Sequence, residues 1–164
     1  ETAIRDGLAR AWWPGRFQVL RRARGFLVLD GAHNPAGARA LAVSLRDVFG
    51  QTRVTFVLGV LADKDAAGIV AAVAPLADRF VLVAPPSSRA VAPETLRAVV
   101  PASAGVEIAK SPAEALALAA RIATTSIICV AGSLFLIGDV LRHLAGSDNP
   151  CSLEKGTDSE PLSF

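Results

Sequence analysis

Short apolar runs alternate along the chain with segments whose apolar residues recur every three or four positions, and this alternation predicts the architecture. Residues 2–11 place Ile4, Leu8 and Ala11 at helical spacing, giving a leading helix that Trp12-Trp13-Pro14-Gly15 ends in a turn. Phe17 to Leu20 and Phe26 to Leu29 are apolar stretches separated by Arg21, Arg22 and Arg24, a pattern for two strands or one bent hairpin. Asn34 caps the next helix, with Pro35 at its first position, Ala38, Leu41, Leu45 and Val48 along one face, and Gly50 at its end. Val54 to Val60 reads as a strand, and Asp65 opens a helix to about Ala74, closed by Pro75. Arg79 to Ala84 is a buried-type strand, Pro93 to Val100 a short helix and Val106 to Ala109 a minor strand. Ser111-Pro112 opens a helix to about Thr124. Ser126 to Ala131 is the last strand, and Gly132-Ser133 turns into an amphipathic helix with Leu134, Ile137, Leu141 and Leu144 on one side.

Strands that are apolar throughout need cover on both faces. Their alternation with Ala-rich helices predicts an α/β fold: a doubly wound, mostly parallel sheet with helices on both faces and right-handed crossovers. Residues 1–145 read as one domain, 1–12 being its leading helix and linker remnant. From Gly146 onward the periodicity gives way to Ser, Asp, Glu and Pro, so 146–164 is expected to be a flexible tail.

Composition narrows the classes. With 164 residues, 52% hydrophobic and 20% charged, the bulk of the chain is excluded from disorder and fits one domain that buries roughly 70% of its unfolded surface. Lys plus Arg (17) against Asp plus Glu (15) gives a net charge of +2, without the basic stripe that nucleic-acid binding needs. Mean hydropathy is +0.43, yet no run approaches the roughly 20 apolar residues that span a membrane. With no signal-peptide pattern, a cytoplasmic address is expected. Cys129 reads as core and Cys151 as tail. Two cysteines with His33 and His143 far apart make neither a disulfide framework nor a zinc site, so no metal ligands are assigned. Met is absent and the chain opens at Glu1 in helical pattern, as expected of a piece of a longer protein.

In open parallel sheets, ligands gather beyond the carboxyl ends of the strands, which directs attention to four loops. Asp30-Gly31-Ala32-His33-Asn34-Pro35 puts a carboxylate at a strand end and an imidazole at a helix start. The carboxylate suits a ribose diol, and the imidazole a phosphate or carboxylate beside the helix N-terminus. Equally, Asp30 can hold loop amides while His33 helps cap the helix. Gly132-Ser133 offers helix-end N–H groups and a hydroxyl for an anion, or Ser133 is a plain cap. Asp63-Lys64-Asp65 reads as a cap beside a solvated ion pair, or as a metal or phosphate ligand group. In Pro85-Pro86-Ser87-Ser88-Arg89, Arg89 is an anion ligand or a surface charge. Arg16 follows a tight turn able to aim a guanidinium, or is a solvated surface arginine. No Gly precedes Lys64, Lys110 or Lys155, so there is no phosphate-binding P-loop, and the G-x-G-x-x-G and G-x-S-x-G patterns are absent as well.

Taken together, Trp13-Pro14-Gly15-Arg16-Phe17-Gln18, Leu29-Asp30-Gly31-Ala32-His33-Asn34-Pro35-Ala36-Gly37, Gly59-Val60-Leu61-Ala62-Asp63-Lys64-Asp65 and Val130-Ala131-Gly132-Ser133-Leu134 resemble the folylpolyglutamate synthase/dihydrofolate synthase family, within the Mur ligases, over about residues 1–145. The resemblance implies the C-terminal domain of a ligase that uses ATP and Mg²⁺ to join L-glutamate to a folate or dihydropteroate carboxylate through an acyl phosphate. It also implies that the P-loop and Mg²⁺ ligands belong to an N-terminal domain, the partner of this one, and that this piece alone is inactive. By motif position, Arg16 reaches nucleotide phosphates and Asp30 the ribose hydroxyls. His33 acts in catalysis and, with Ser133, lines the side where glutamate enters. Two alternatives stay open: the C-terminal domain of a peptidoglycan-precursor Mur ligase, and a non-catalytic anion-binding or interaction module. Neither nucleic acid nor membrane is an expected partner.

Overall fold

The structure is a computed structural model that describes residues 13–146. Its elements are β1 (Gln18–Arg22), β2 (Gly25–Leu29), α1 (Pro35–Phe49), β3 (Val54–Leu58), α2 (Ala66–Val73), β4 (Ala77–Leu82), α3 (Pro93–Arg97), β5 (Gly105–Ile108), α4 (Pro112–Ile122), β6 (Ile127–Ala131) and α5 (Leu134–Gly146). Six strands form one sheet in the order β1-β2-β6-β3-β4-β5. Every pairing is parallel except β1 with β2. The mostly parallel α/β sheet expected from the strand pattern is present.

Alternate residues of each strand enter opposite cores, as the period of two requires. Val54, Phe56 and Leu58 of β3 meet Leu41 and Leu45 of α1, Ile69 and Val73 of α2 and Leu96 of α3. On the other face, Val57, Val81, Ile128 and Val130 meet Ala115 and Ala119 of α4 and Leu136, Ile137 and Val140 of α5. The sheet is therefore covered on both faces, with α1, α2 and α3 on one and α4 and α5 on the other. Helix starts follow local chemistry. Asn34 Oδ1 accepts from Gly37 N–H at 2.8 Å, Asp65 Oδ1 from Gly68 N–H at 2.8 Å and Ser111 Oγ from Glu114 N–H at 3.2 Å, each satisfying a donor that the first helical turn leaves open.

Several boundaries differ from the sequence expectation. Arg21 and Arg22, read there as separators, belong to β1, which forms an antiparallel hairpin with β2. As an edge strand β1 tolerates charge on its open side, and the Arg21 guanidinium lies 5.6 Å from the centre of the Phe26 ring, where its charge meets the ring face. β3 stops at Leu58 and not Val60. β4 begins at Ala77 and ends at Leu82, and β5 runs one residue earlier than expected. α3 is only five residues long, and α4 ends at Ile122. The leading helix at 2–11 and most of the tail at 146–164 lie outside the described residues.

Two core residues carry predictions. Thr55, the second residue of β3, has 0% exposure, and its Oγ1 has no hydrogen-bond partner among the described residues. A buried hydroxyl without a partner keeps its desolvation cost. Thr55→Val, nearly the same shape, is therefore expected to stabilise the chain by about 1–2 kcal/mol, read as a higher urea midpoint at unchanged slope.

Cys129 is fully buried in β6. Desolvation, and secondarily the charge of Asp30, push its thiol well above the ordinary range. It stays protonated in the folded chain, whereas the unfolded thiol ionises near pH 9. Above that pH the unfolded state binds fewer protons, so stability falls as pH rises. In a Cys151→Ser background, the native chain should resist thiol labelling at pH 8, and its urea midpoint should be lower at pH 10 than at pH 8.

Candidate functional site

The loops after β2, β3, β4 and β6 all open at the carboxyl end of the sheet, and the turn before β1 joins them there because β1 runs antiparallel to β2. Gly31 N–H donates to Gly15 carbonyl at 2.7 Å, and Gly132 N–H to Ala32 carbonyl at 2.8 Å, so three loops are tied by their backbones. Gly132 has φ 99, and a Cβ there would stand 2.5 Å from the Gly59 carbonyl oxygen. Only glycine lets β6 turn into α5 so close to the end of β3.

Asp30 organises the first pair of loops. One carboxylate oxygen accepts from Phe17 N–H and the other from Ala32 N–H, both at 2.8 Å. Phe17 has φ 41, in the left-handed region, a conformation that costs a non-glycine residue about 1–3 kcal/mol. The bond from Asp30 offsets that cost. Gln18, nearly buried, accepts from Gly15 N–H through Oε1 at 3.0 Å. The result holds Arg16 beside Gly31. A Cβ on Gly31 would overlap Leu134 and lie 3.5 Å from Arg16 Nη1. The Arg16 side chain is exposed, and its guanidinium pairs with no described residue.

His33 and Ser133 meet in a pocket of about 180 Å³, whose lining also includes Lys64, Arg89 and Phe135. The Nδ1 of His33 lies 2.8 Å from the Gly31 carbonyl, so Nδ1 carries the proton and, in the neutral ring, Nε2 is left as the acceptor. Ser133 is 2% exposed, and its Oγ accepts from Phe135 N–H at 3.2 Å, capping α5. Arg16 and Asp30 adjoin this pocket across Gly31 and Leu134 but do not line it. Of Arg16, Asp30, His33 and Ser133, then, His33 and Ser133 share the pocket, while Arg16 and Asp30 lie beside it.

The sequence left Lys64 as half of a solvated pair or part of a metal or phosphate site, and Arg89 as an anion ligand or a surface charge. They converge because Leu61 and Ala90 form an antiparallel bridge, with Ala62 N–H donating to Arg89 carbonyl at 2.8 Å. Asp63 sits between them, 2.8 Å from Lys64 Nζ and 3.6 Å from Arg89 Nη1. The hydrogen bond from Lys64, with help from both positive charges, holds its carboxyl below the usual range. The signal available in sequence was position alone, since both residues follow the carboxyl ends of strands. Among the described residues no group of three or more His, Cys, Asp or Glu is placed to hold a metal ion, and no helix is long and apolar enough to cross a membrane.

Comparison with known proteins bears on this geometry. Residues 15–134 match the family described as Mur ligase, glutamate ligase domain. The chain is 39% identical over 142 residues to a probable bifunctional folylpolyglutamate synthase/dihydropteroate synthase of Halobacterium salinarum, covering 85% of this chain and 17% of that protein. It is 34% identical over 149 residues to the folylpolyglutamate synthase of Lacticaseibacillus casei, covering 87% of this chain and 32% of that one. A crystal structure of a bifunctional folylpolyglutamate synthase/dihydrofolate synthase with Mn, AMPPNP and L-glutamate bound superposes with a TM-score of 0.78 at 32% identity, over 88% of this chain and 35% of that one. The chain thus spans between about one-sixth and one-third of these proteins. On the match across the sheet and its four loops, this chain belongs to the Mur ligase, glutamate ligase domain family.

Proposed function

We propose that this chain supplies the C-terminal half of the active site of an ATP-dependent ligase that adds L-glutamate to a folate or dihydropteroate carboxylate through an acyl phosphate. One observation carries the reading: the loops after β2, β3, β4 and β6 bring His33, Lys64, Arg89 and Ser133 into one pocket, with the exposed Arg16 beside it. The similar folylpolyglutamate synthase/dihydrofolate synthase that holds Mn, AMPPNP and L-glutamate supports it.

The roles follow from the chemistry. Phosphoryl transfer and amide formation gather negative charge, and fixed cations at that point stabilise the transition state more than the substrates. Arg16, exposed and paired with no described residue, is suited to nucleotide phosphates. Each Asp30 oxygen already accepts one amide and keeps a lone pair that a ribose hydroxyl can reach. His33 Nε2 and the Ser133 hydroxyl face the pocket where the glutamate carboxylates and amine are held, and Nε2 is the group able to hold the proton that the amine loses on attack. Lys64 and Arg89 draw in anionic substrates. The described residues present no carboxylate cluster for Mg²⁺, so its ligands, like the P-loop, are assigned to the N-terminal domain. Closure of the two domains excludes water from the acyl phosphate. The domain comprises 1–145, with 146–164 as tail, and works in the cytoplasm without nucleic acid or membrane.

Calorimetric titration of ATP and L-glutamate into this chain, alone and joined to a P-loop domain from a relative, tests the reading. Binding in the joined protein with none by the chain alone supports it. Tight binding of either compound by the chain alone contradicts it.

A further inference from the structure

We infer that the amino-terminal end of the sheet carries a second ligand site, for an amphipathic polyanion: a compact apolar body bearing two or more carboxylate, phosphate or sulfonate groups. This site lies at the opposite end of the strands from the pocket above and does not depend on the function proposed for it. Where the β1–β2 hairpin faces the groove between α4 and α5 there is a cavity of about 610 Å³, within the range that holds a small molecule.

Its charge is one-sided. Arg22 and Arg24 enter from the hairpin and Arg121 from the last turn of α4, and among the described residues no Asp or Glu lines the cavity. None of these three guanidiniums pairs with a described residue, whereas Arg79, Arg89 and Arg142 each hold a carboxylate. Asp78 is bonded to Thr124 of the lining but does not itself line the cavity. It accepts the Thr124 hydroxyl at 2.6 Å and pairs with Arg79 at 3.4 Å, so it is spent elsewhere. His143 also faces the cavity and adds no negative charge. Three like charges around one concavity repel one another, and an oxyanion held in bidentate fashion relieves that repulsion.

The floor is apolar. Leu27, Leu116 and Leu144, all at most 9% exposed, form its base, and Ala117 and Ala120 on α4 provide the room. A bare inorganic anion would leave this surface wet, and a neutral apolar ligand would leave the guanidiniums unpaired. Body and charges are both required.

The test uses the 164-residue chain with two probes, pyranine (an aromatic trisulfonate) and tripolyphosphate (charge without an apolar body), by calorimetry and ¹⁵N shift mapping. Pyranine is expected to bind one site, at least about tenfold tighter than tripolyphosphate, with shifts confined to Arg22–Gly25, α4 and Thr125. Arg22→Gln and Arg121→Gln, surface changes that leave the core intact, should each weaken it by about tenfold, and Ala120→Leu should weaken pyranine by filling the floor. Absence of binding, equal affinity for the two probes, indifference to these substitutions, or shifts centred on Ala32–Asn34 and Ser133 would overturn the inference. So would binding seen only after Asp148, Glu154, Asp158 and Glu160 are neutralised, because the chain's own acidic segment would then be the occupant.

Discussion

Asp30→Ala is expected to damage the domain before any question of ligand binding arises. Its two oxygens hold the amides of Phe17 and Ala32, and removal strands two part-buried donors while leaving Phe17 in its left-handed conformation unaided. Hydrogen bonds to a charged acceptor contribute roughly 1.5–3 kcal/mol each when fully buried. Allowing for the partial exposure of this site, the loss should be about 2–3 kcal/mol, a large share of the 5–15 kcal/mol typical of a domain. Asp30→Asn should recover about half, since its amide oxygen accepts one N–H while its NH₂ group opposes the other. Thermal melts of the chain check this order, wild type above Asn above Ala. In the joined ligase, assayed well below the melting range, Asp30→Ala should still lower kcat/KM by well over tenfold.

Arg16→Ala is expected to do the opposite: leave stability unchanged and abolish most of the chemistry. The turn that carries Arg16 is held by backbone and by Gln18, with Arg16 N–H donating to Trp13 carbonyl at 3.2 Å, so the side chain bears no structural load. Exposed side chains of this kind shift stability by at most about 0.5 kcal/mol. If the guanidinium meets developing charge on the transferred phosphoryl, its removal from the joined enzyme should lower kcat/KM well over tenfold, each decade being about 1.4 kcal/mol of transition-state stabilisation. Arg16→Lys should restore only part, because an ammonium cannot form the two parallel bonds of a planar fork. The contrast between positions 16 and 30 separates a residue that meets ligand from one that also builds the loop.

What could be read in advance follows physical range. Helix starts at Asn34, Asp65 and Ser111 are set by hydrogen bonds three residues long, so the letters in sequence contain the whole interaction. The apolar strands were visible because burial on both faces leaves few alternatives. Strand ends were less legible. Gly59 and Val60 continue the apolar run of β3, yet Gly59 N–H bonds to Ala131 carbonyl at 3.3 Å and Val60 carbonyl accepts from Val91 N–H at 2.9 Å, so the chain is already turning into the site. Arg21 and Arg22 hid a strand because an edge position accepts charge. Nothing in the periodicity says that β6 inserts between β2 and β3, although that insertion is what sets Ser133 beside His33. Lys64 and Arg89 stand 25 positions apart and meet only through the Leu61–Ala90 bridge, a long-range pairing that local pattern does not encode. The basic cavity was invisible for the same reason, its arginines coming from a hairpin and a helix about a hundred residues apart.

The central claim is that these loops complete a nucleotide site begun on another domain. Glutamate-dependent release of ADP from ATP, with dihydropteroate or a reduced folate as acceptor, measures it directly in this chain alone, in a P-loop domain alone, and in the two joined. Turnover is expected only in the joined protein, with its loss in Arg16→Ala. Turnover by this chain alone, or turnover in the joined protein that ignores Arg16, would contradict it.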